Sequence, residues 1–162
     1  MQQRAAELIA TLDLRPHPEG GFYREVFRSE SHVVRAGDNA ERAGLTTIYF
    51  LLPRGTISRL HQVDSDEVWH LYEGGPLELF NVNPAGNTVT RHRLEPLDKG
   101  SGAPVCVIPA GHWQAARSLG AYTLVGCTVG PGFEFTDFRM LADNREVAAA
   151  VIAACPEMAE FI

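Results

Sequence analysis

The stretch Arg59-Leu60-His61-Gln62-Val63-Asp64-Ser65-Asp66-Glu67-Val68-Trp69-His70 holds the densest cluster of chemically versatile side chains in this chain. A histidine is followed by a tight acidic turn, and then by a glutamate and a second histidine that begin the next apolar run. Residues near the closed end of an antiparallel hairpin face each other across the two strands. The pattern therefore predicts a β-hairpin that brings His61 and Glu67 together. The alternative is a surface turn that is acidic because it is solvated, with His61 incidental.

Short runs rich in β-branched and aromatic residues lie on both sides of this stretch, and each is bounded by Gly, Pro, Asn or Asp. Strands are predicted over 22–27, 45–52, 67–72, 77–82, 88–94, 105–108, 122–129 and 133–140. Strands at a spacing of roughly ten residues, with no helix long enough for a parallel crossover, predict an antiparallel sandwich or barrel. The polar stretch 31–44 is predicted to be the most mobile loop.

Helices are predicted at the two ends of the chain. Residues 2–12 place apolar side chains on one helical face, and Asp143 or Asn144 can cap a second helix over about 143–155 that ends at Pro156. Of the 15 glycines and 10 prolines, all but Pro156 lie in residues 16–132. A β-rich middle between helical ends follows, and the length of 162 residues predicts a single domain over 1–162 with its β core at about 18–141.

Charge and composition exclude several classes of function. The net charge is −6, and no basic run is present, so we expect neither nucleic acid nor a membrane surface as a partner. The apolar runs fall short of the roughly 20 residues that a membrane span needs, and the N-terminus does not resemble a signal peptide. Three dispersed cysteines fit buried thiols better than a disulfide framework or a zinc knuckle. These features predict a cytoplasmic protein.

Four segments, taken in order, resemble the cupin superfamily. Gly55, His61, Glu67 and Gly74 keep the spacing of the first cupin motif, and Pro-Ala-Gly-His-Trp-Gln at 109–114 resembles the second. The segments 17–25 and 129–138 resemble one branch, the uncharacterised DUF985 or cupin-5 family. The resemblance covers about residues 5–142. It implies an all-β fold, the double-stranded β-helix or cupin jelly roll, here with short N- and C-terminal α-helices, one pocket inside the barrel and a homodimer.

The homodimer has a separate argument from edge strands. A jelly roll leaves sheet edges to be covered, and the segment after Pro18 is a natural strand to lend across a two-fold axis.

Two of the positions that would hold a cupin metal have changed. The usual site would use His61, position 63, Glu67 and position 114. In this sequence position 63 is a valine and position 114 is a glutamine. Valine has no lone pair and a neutral amide is a poor ligand for a transition metal. We therefore expect no cofactor. If a divalent transition metal does bind, its ligands would be His61, Glu67, Gln114 and His70, although His70 leaves a regular strand on the face opposite Glu67.

A metal-free cupin pocket with a histidine and a carboxylate is similar to the nucleotide-sugar epimerases and isomerases of the superfamily. In such chemistry a base removes a proton next to a carbonyl, a donor stabilises the enolate oxygen and an acid returns the proton. His61 is the expected base, because its ordinary pKa of about 6.5 lets it accept a proton at neutral pH. Glu67 would orient it or act as the second acid or base.

The ligand-binding residues that we expect around this pair are Arg59, Trp69, His70, Tyr72, His112 and Gln114. Arg59, two residues before His61 and so on the same face of a strand, would hold a phosphate or an enolate. Tyr72 or Tyr122 would be a hydrogen-bond donor, although strand tyrosines are more often core residues. Trp69 and Trp113 either stack on a ligand ring or fill the core.

Two segments outside the central stretch also have alternative interpretations. Gly20 and Gly21 permit a turn with positive φ, and Glu19 beside them either closes a pocket rim or is simply exposed. Phe133 and Phe135 share a face, and we expect them to pack between the sheets rather than line a pocket entrance.

Three functions are consistent with these residues. The first is a metal-independent isomerase or epimerase that acts on a small carbohydrate-like or nucleotide-sugar-like molecule by His/Glu acid–base chemistry. The second is a non-catalytic module that binds or senses a small ligand, and the third is a metal-dependent cupin oxygenase.

Overall fold

A computed structural model describes residues 2–98 and 100–162 of the chain. Two short α-helices lie near the ends, α1 (Gln2–Thr11) and α2 (Arg145–Ala154). The first seven strands are β1 (Arg15–Pro16), β2 (Phe22–Arg28), β3 (His32–Val34), β4 (Glu41–Ala43), β5 (Thr46–Pro53), β6 (Ile57–Gln62) and β7 (Asp66–Gly74). The remaining strands are β8 (Leu77–Val82), β9 (Val89–Leu94), β10 (Val105–Ile108), β11 (Trp113–Ser118), β12 (Tyr122–Gly130) and β13 (Arg139–Met140).

The strands form two antiparallel sheets and one separate hairpin. The larger sheet has the order β1-β2-β5-β12-β7-β10, and the smaller sheet has the order β13-β6-β11-β8-β9. The hairpin pairs β3 with β4. This arrangement, with inner faces in contact and short helices at both ends, is the jelly roll that the resemblance implied.

Three apolar clusters hold these layers together. The first lies between the sheets around Phe50, Trp69 and Leu79. The second covers the outer face of the smaller sheet, where α2 and the 3₁₀ helix Pro156–Phe161 bury Phe80 and Phe161 against each other. In the third, α1 packs on the outer face of the larger sheet. Helices therefore pack on the outer face of each sheet, and the inner faces of the two sheets enclose the interior of the barrel.

Both predicted helices are present, with a difference at the C-terminus. Asn144 is the N-cap of α2, and its side chain accepts a hydrogen bond from Val147 N. The chain does not lose helical structure at Pro156, because that proline occupies the first turn of a 3₁₀ helix, where its missing N–H costs no hydrogen bond.

The predicted hairpin between His61 and Glu67 is wrong. β6 pairs with β11 and β13 in the smaller sheet, whereas β7 pairs with β10 and β12 in the larger sheet. The acidic turn therefore carries the chain from one sheet to the other. As a result, His61 and Glu67 face each other across the interior of the barrel, from two different sheets, and are not neighbours on hydrogen-bonded strands.

Two other local predictions also differ from the structure. The predicted strand over 133–140 contains the 3₁₀ helix Phe135–Asp137 and only the two-residue strand β13. The predicted loop over 31–44 contains the β3–β4 hairpin. Arg35 and Arg42 from this hairpin both bind Asp137, with N···O distances of 3.0 and 2.6 Å. These ion pairs to the buried Asp137 therefore hold the β3–β4 hairpin against the 3₁₀ helix.

In the described part of the chain, neither α-helix has the length and apolar character that crossing a membrane requires.

Candidate functional site

A cavity of about 280 Å³ lies between the two sheets at the end of the barrel near the β6–β7 crossover. Its walls are made of strand residues from both sheets, together with the turn before β2 and the segment after β12. The side chains that matter for its chemistry are His17, Glu19, His61, Glu67, Trp69 and Cys127 inside, and Glu25, Arg28, Glu134, Phe133, Phe135 and Phe138 towards the mouth.

Glu19 reaches the cavity from the turn that precedes β2. The next residue, Gly20, has φ 114°, and a Cβ there would lie 2.1 Å from the carbonyl oxygen of Ile57. Only glycine allows this close approach of the turn to β6. The approach is fixed by the hydrogen bond from Arg59 N to Glu19 O at 2.9 Å, and it buries the Glu19 side chain.

Three side chains surround the Glu19 carboxylate. Its Oε2 lies 3.2 Å from His61 Nε2 and 3.2 Å from His17 Nδ1, and Ser58 Oγ donates to Oε1 at 2.7 Å. Burial by itself would raise the pKa of Glu19. The charge of His61 and the hydrogen bonds from His17 and Ser58 outweigh burial, so the pKa of Glu19 lies below its ordinary value and the group is ionised.

His61 is surrounded by hydrogen-bond acceptors. Its Nδ1 lies 2.7 Å from the carbonyl oxygen of Arg59, and its Nε2 faces the ionised carboxylate of Glu19. A carbonyl and a carboxylate only accept, so these surroundings favour an imidazolium paired with Glu19. In that form His61 has no lone pair to act as the base that the sequence pattern predicted.

A β-bulge explains how Ser58 and His61 both reach Glu19. In the β6–β11 pairing, Gln114 is opposite His61 and Ala116 is opposite Ser58, so β6 contains one extra residue between these pairs. The bulge changes the alternation of faces along β6. It leaves Arg59 exposed, and the Arg59 guanidinium donates to the carbonyl oxygen of Pro18. The expectation that Arg59 shares the face of His61 is wrong for this reason.

Glu67 lies on the opposite wall and has uncharged partners. Gln114 Nε2 donates to Glu67 Oε2 at 2.6 Å, and Trp69 Nε1 donates to Gln114 Oε1 at 2.9 Å. An indole N–H can only donate, so it fixes the orientation of the Gln114 amide. Burial, with a contribution from the charge of Glu19, raises the pKa of Glu67 despite the opposing effects of His61 and Gln114. This carboxyl group is therefore a weaker acid than an exposed glutamate.

The metal ligand set of the wider superfamily does not fit these residues. Val63 lies in the cavity wall and offers no donor atom, and the oxygen of Gln114 is already used by Trp69. Across residues 2–98 and 100–162, no group of three or more His, Cys, Asp or Glu side chains has an arrangement that could hold a metal ion.

Five of the six expected ligand-binding residues do not line the cavity, and one of these, Gln114, lies behind its wall and donates to Glu67. Besides Arg59, the structure places His70 and Tyr72 on the outer face of β7, where the Tyr72 hydroxyl lies over Gly126. A Cβ at Gly126 would lie 2.2 Å from that hydroxyl oxygen. His112 points away from the cavity and its Nδ1 lies 2.8 Å from Asn81 Oδ1.

Two further aromatic residues that were candidates also lie away from the cavity. Tyr122 donates to Glu73 on the surface, and Trp113 is buried in the cluster beneath α2.

Sequence reasoning missed the role of His17 and of the phenylalanines at the mouth. The His17 ring packs edge-on to Tyr23 and Phe138, and Phe138 also stacks on His61 with ring centroids 5.4 Å apart. Phe135 is half-exposed at the opening, so the expectation that it packs between the sheets is wrong. The sequence signal for these residues was the resemblance of segments 17–25 and 129–138 to one family. These two segments lie next to each other at the mouth of the cavity.

Comparison with known proteins agrees with this geometry. Residues 6–141 match the family model described as Cupin superfamily (DUF985). The chain belongs to this family. No curated protein matches this chain.

Solved structures support the same assignment. A hypothetical protein from Leishmania major shares 29% identity with this cupin, with a TM-score of 0.81 over 94% of this chain and 93% of the other. A protein from Shewanella oneidensis shares 32% identity, with a TM-score of 0.78 over 94% and 90%. A mutant of Bacillus subtilis oxalate decarboxylase is similar at 20% identity and a TM-score of 0.57, over 92% of this chain and 37% of that one, which shows the fold alone.

Proposed function

We propose that this cupin is a metal-independent isomerase or epimerase of a small carbohydrate-like molecule, with Glu67 and His61 as its acid–base pair. One observation carries the proposal: a single buried cavity holds an imidazolium paired with Glu19 on one wall and a carboxyl group of raised pKa on the other. Opposed groups with separated proton affinities are what proton abstraction and return require.

The roles of the pair are the reverse of those expected from sequence. Glu67, as a carboxylate of raised pKa, takes the proton from the carbon next to a carbonyl, and the electron pair of that C–H bond moves onto the carbonyl oxygen. The positive charge of His61 stabilises the resulting enolate oxygen. In an epimerisation, His61 gives a proton to the opposite face of the same carbon, and proton exchange with solvent restores both side chains. In an isomerisation, Glu67 returns its proton to the neighbouring carbon while the hydroxyl proton moves to the former carbonyl oxygen, so neither reaction needs an oxidant or reductant.

The volume of the cavity favours a single ring. About 280 Å³ lies just below the range of roughly 300–1,000 Å³ typical of small-molecule pockets. One sugar ring is a suitable occupant, and a complete nucleotide sugar would leave its nucleotide outside the mouth.

Carbon-bound hydrogen exchange tests the chemistry without knowledge of the product. The protein is incubated in D₂O with a panel of aldoses, ketoses and their phosphates, and loss of the proton next to the carbonyl is followed by NMR. We expect enzyme-dependent exchange in at least one compound, and its loss in Glu67→Gln. Glu146→Gln is the matched control, because Glu146 is exposed on α2.

Two results would contradict the enzyme proposal. One is exchange that continues unchanged in Glu67→Gln, and the other is the absence of exchange from every compound while one of them binds. The second result would favour the non-catalytic binding function.

We also propose that the site acts without a bound metal. Support comes from the donor set, in which Val63 and Gln114 replace two ligands. Elemental analysis of protein purified without a chelating tag tests this, and about one equivalent of a transition metal, lost together with exchange on chelation, would overturn it.

A homodimer is proposed on different grounds. Apolar side chains of the larger sheet's outer face remain exposed on β7 and the edge strand β10, namely Tyr72, Val105 and Val107. Exposed apolar patches and edge strands favour association. The strand after Pro18 is not lent in this structure, since β2 pairs with β5 of its own chain. Sedimentation should give twice 17.7 kDa, and a value near 17.7 kDa at micromolar concentration would contradict the dimer.

A further inference from the structure

The mouth of the cavity carries more negative than positive charge. Arg28 binds Glu25 through two nitrogens at 2.8 and 3.0 Å, and it binds Glu134 at 2.7 Å. One guanidinium therefore meets two carboxylates. The same guanidinium also donates to the carbonyl oxygen of Phe133, so the protein uses four of its five N–H donors.

The interior adds no surplus of positive charge. The imidazolium of His61 is balanced by Glu19, and Arg28 is the only arginine or lysine among the described residues that line the cavity. Glu67 uses Oε2 to accept from Gln114, and in the described part of the chain no protein nitrogen or oxygen bonds to its Oε1. A ligand that donates a hydrogen bond would therefore find an acceptor at this wall.

Phosphate sites are built differently. They use helix N-termini, successive backbone N–H groups or unpaired arginines that bind the oxygens in pairs. Neither α1 nor α2 contributes to the cavity lining. Aromatic rings instead surround the mouth, and ring faces favour a flat apolar surface or a cation. Phe133, Phe135 and Phe138 form the nearest of these rings, with centroids 5.0 to 6.2 Å apart.

We infer that the cavity selects ring-shaped ligands by charge, in the order amine-bearing, then uncharged, then phosphorylated. The inference rests on the same cavity as the proposed function, and it deepens that proposal by assigning the charge of the ligand. An amine would meet the carboxylates and the aromatic faces, whereas a phosphate would meet two mouth carboxylates with the only arginine already bound.

The two tryptophans provide a direct assay on the unmodified protein. The Trp69 side chain lines the cavity and its indole N–H donates to Gln114, whereas the indole N–H of Trp113 donates to the carbonyl oxygen of Pro84 outside the cavity. ¹⁵N-labelled protein is titrated near neutral pH with glucosamine, glucose and glucose 6-phosphate, and separately with benzylamine, benzyl alcohol and benzyl phosphate. Trp69→Phe assigns the two indole signals.

We expect the Trp69 signal to shift and the Trp113 signal to stay, with amine-bearing compounds binding at least about tenfold more tightly than phosphates. Phosphates that bind as tightly as the uncharged compounds would overturn the inference, and so would the absence of any Trp69 shift in both series. If only the benzyl series binds, in the stated order, the charge selection stands and the carbohydrate class of the proposed function fails.

A charge variant at the mouth sharpens the test. Glu134→Gln should narrow the difference between uncharged and phosphorylated compounds by roughly threefold, since it removes one nearby negative charge. The matched control Glu146→Gln should leave the difference unchanged. Equal effects of the two variants would show that net charge of the protein, and not the mouth, sets the order.

Discussion

Glu19 and Glu67 lie on opposite walls of one cavity and are each 6% exposed, yet their pKa values are shifted in opposite directions. Burial acts on both in the same way, because removal from water disfavours the charged form. The difference comes from the partners. The Glu19 carboxylate accepts from Ser58 and lies 3.2 Å from ring nitrogens of His61 and His17, whereas Glu67 accepts from the neutral amide of Gln114.

This difference assigns structural and chemical roles within one site. A carboxylate that is already matched by an imidazolium is held in its charged form and positions the other groups. A carboxyl that is buried without a cation in hydrogen-bond contact remains free to change its protonation state. The wall that carries Glu67 is therefore the one on which proton transfer is expected, and the wall that carries Glu19 supplies the fixed charge.

Removal of Glu19 is expected to give the largest loss of stability. Glu19→Ala leaves the imidazolium of His61 buried without its counter-ion, and breaking a buried pair in this way costs about 3–5 kcal/mol of unfolding free energy. Urea denaturation near neutral pH measures the loss.

The surface pair of Glu73 and Arg4 provides the control for that experiment. Glu73→Ala should cost only about 0–1 kcal/mol, because its carboxylate is partly exposed and screened by solvent. A loss of this small size in Glu19→Ala would show that His61 is not charged in the folded protein.

The two carboxyls should give opposite slopes of stability against pH. The pKa of Glu19 is lower in the folded protein than its ordinary value of 4.5, so its contribution is present above pH 4.5 and is lost as the pH falls through the folded pKa. The pKa of Glu67 is raised above 4.5, so the folded state binds the extra proton and stability falls as the pH rises from 4.5 through the raised pKa.

Denaturation of wild type, Glu19→Gln and Glu67→Gln from about pH 3 to about pH 8 separates these effects. Relative to Glu67→Gln, wild type should lose stability as the pH rises above 4.5. Relative to Glu19→Gln, wild type should gain stability as the pH rises towards 4.5. Slopes of the same sign in both comparisons would contradict the assignment of different partners.

The fold was predictable from the sequence because its signals are local. Strand patterns, breakers and four ordered motifs identified the jelly roll, and the strands at 77–82 and 105–108 have the predicted bounds. The placement of β6 and β7 in two different sheets was not predictable from such local signals. A short acidic turn connects two strands equally well within one sheet or between two sheets, and only tertiary pairing decides between them.

The site was predictable in its members and not in their roles. His61 and Glu67 are both in the cavity lining, as the motif spacing suggested, but the protonation of His61 depends on Glu19, which is 42 positions earlier in the sequence. Arg59 was predicted on the same face of β6 as His61, but the one-residue bulge turns its side chain to the other face. Hydrogen-bond partners at long sequence separation therefore limit how far chemistry can be predicted from a motif.

A smaller loss is expected on the Glu67 wall from Trp69→Phe. The substitution keeps an aromatic ring beside Phe50 but removes the N–H that holds the Gln114 oxygen. A buried acceptor without a partner costs about 1–3 kcal/mol. The amide also becomes free to turn its oxygen towards Glu67, which would raise the pKa of that carboxyl further. A steeper pH slope of stability than in wild type would show this coupling, and an unchanged slope would exclude it.

The smallest effect is expected from Arg59→Ala. Arg59 lies next in sequence to a buried residue and two positions before His61, yet its guanidinium is exposed and makes one contact, to the carbonyl oxygen of Pro18. Surface substitutions of this kind change stability by about 0.5 kcal/mol or less. The backbone carbonyl that accepts from His61 is kept, so ligand-induced shifts of the Trp69 indole should also be unchanged. A tenfold loss of ligand affinity would instead place Arg59 in the site, and would mean that β6 lacks the bulge that turns this side chain away from the cavity.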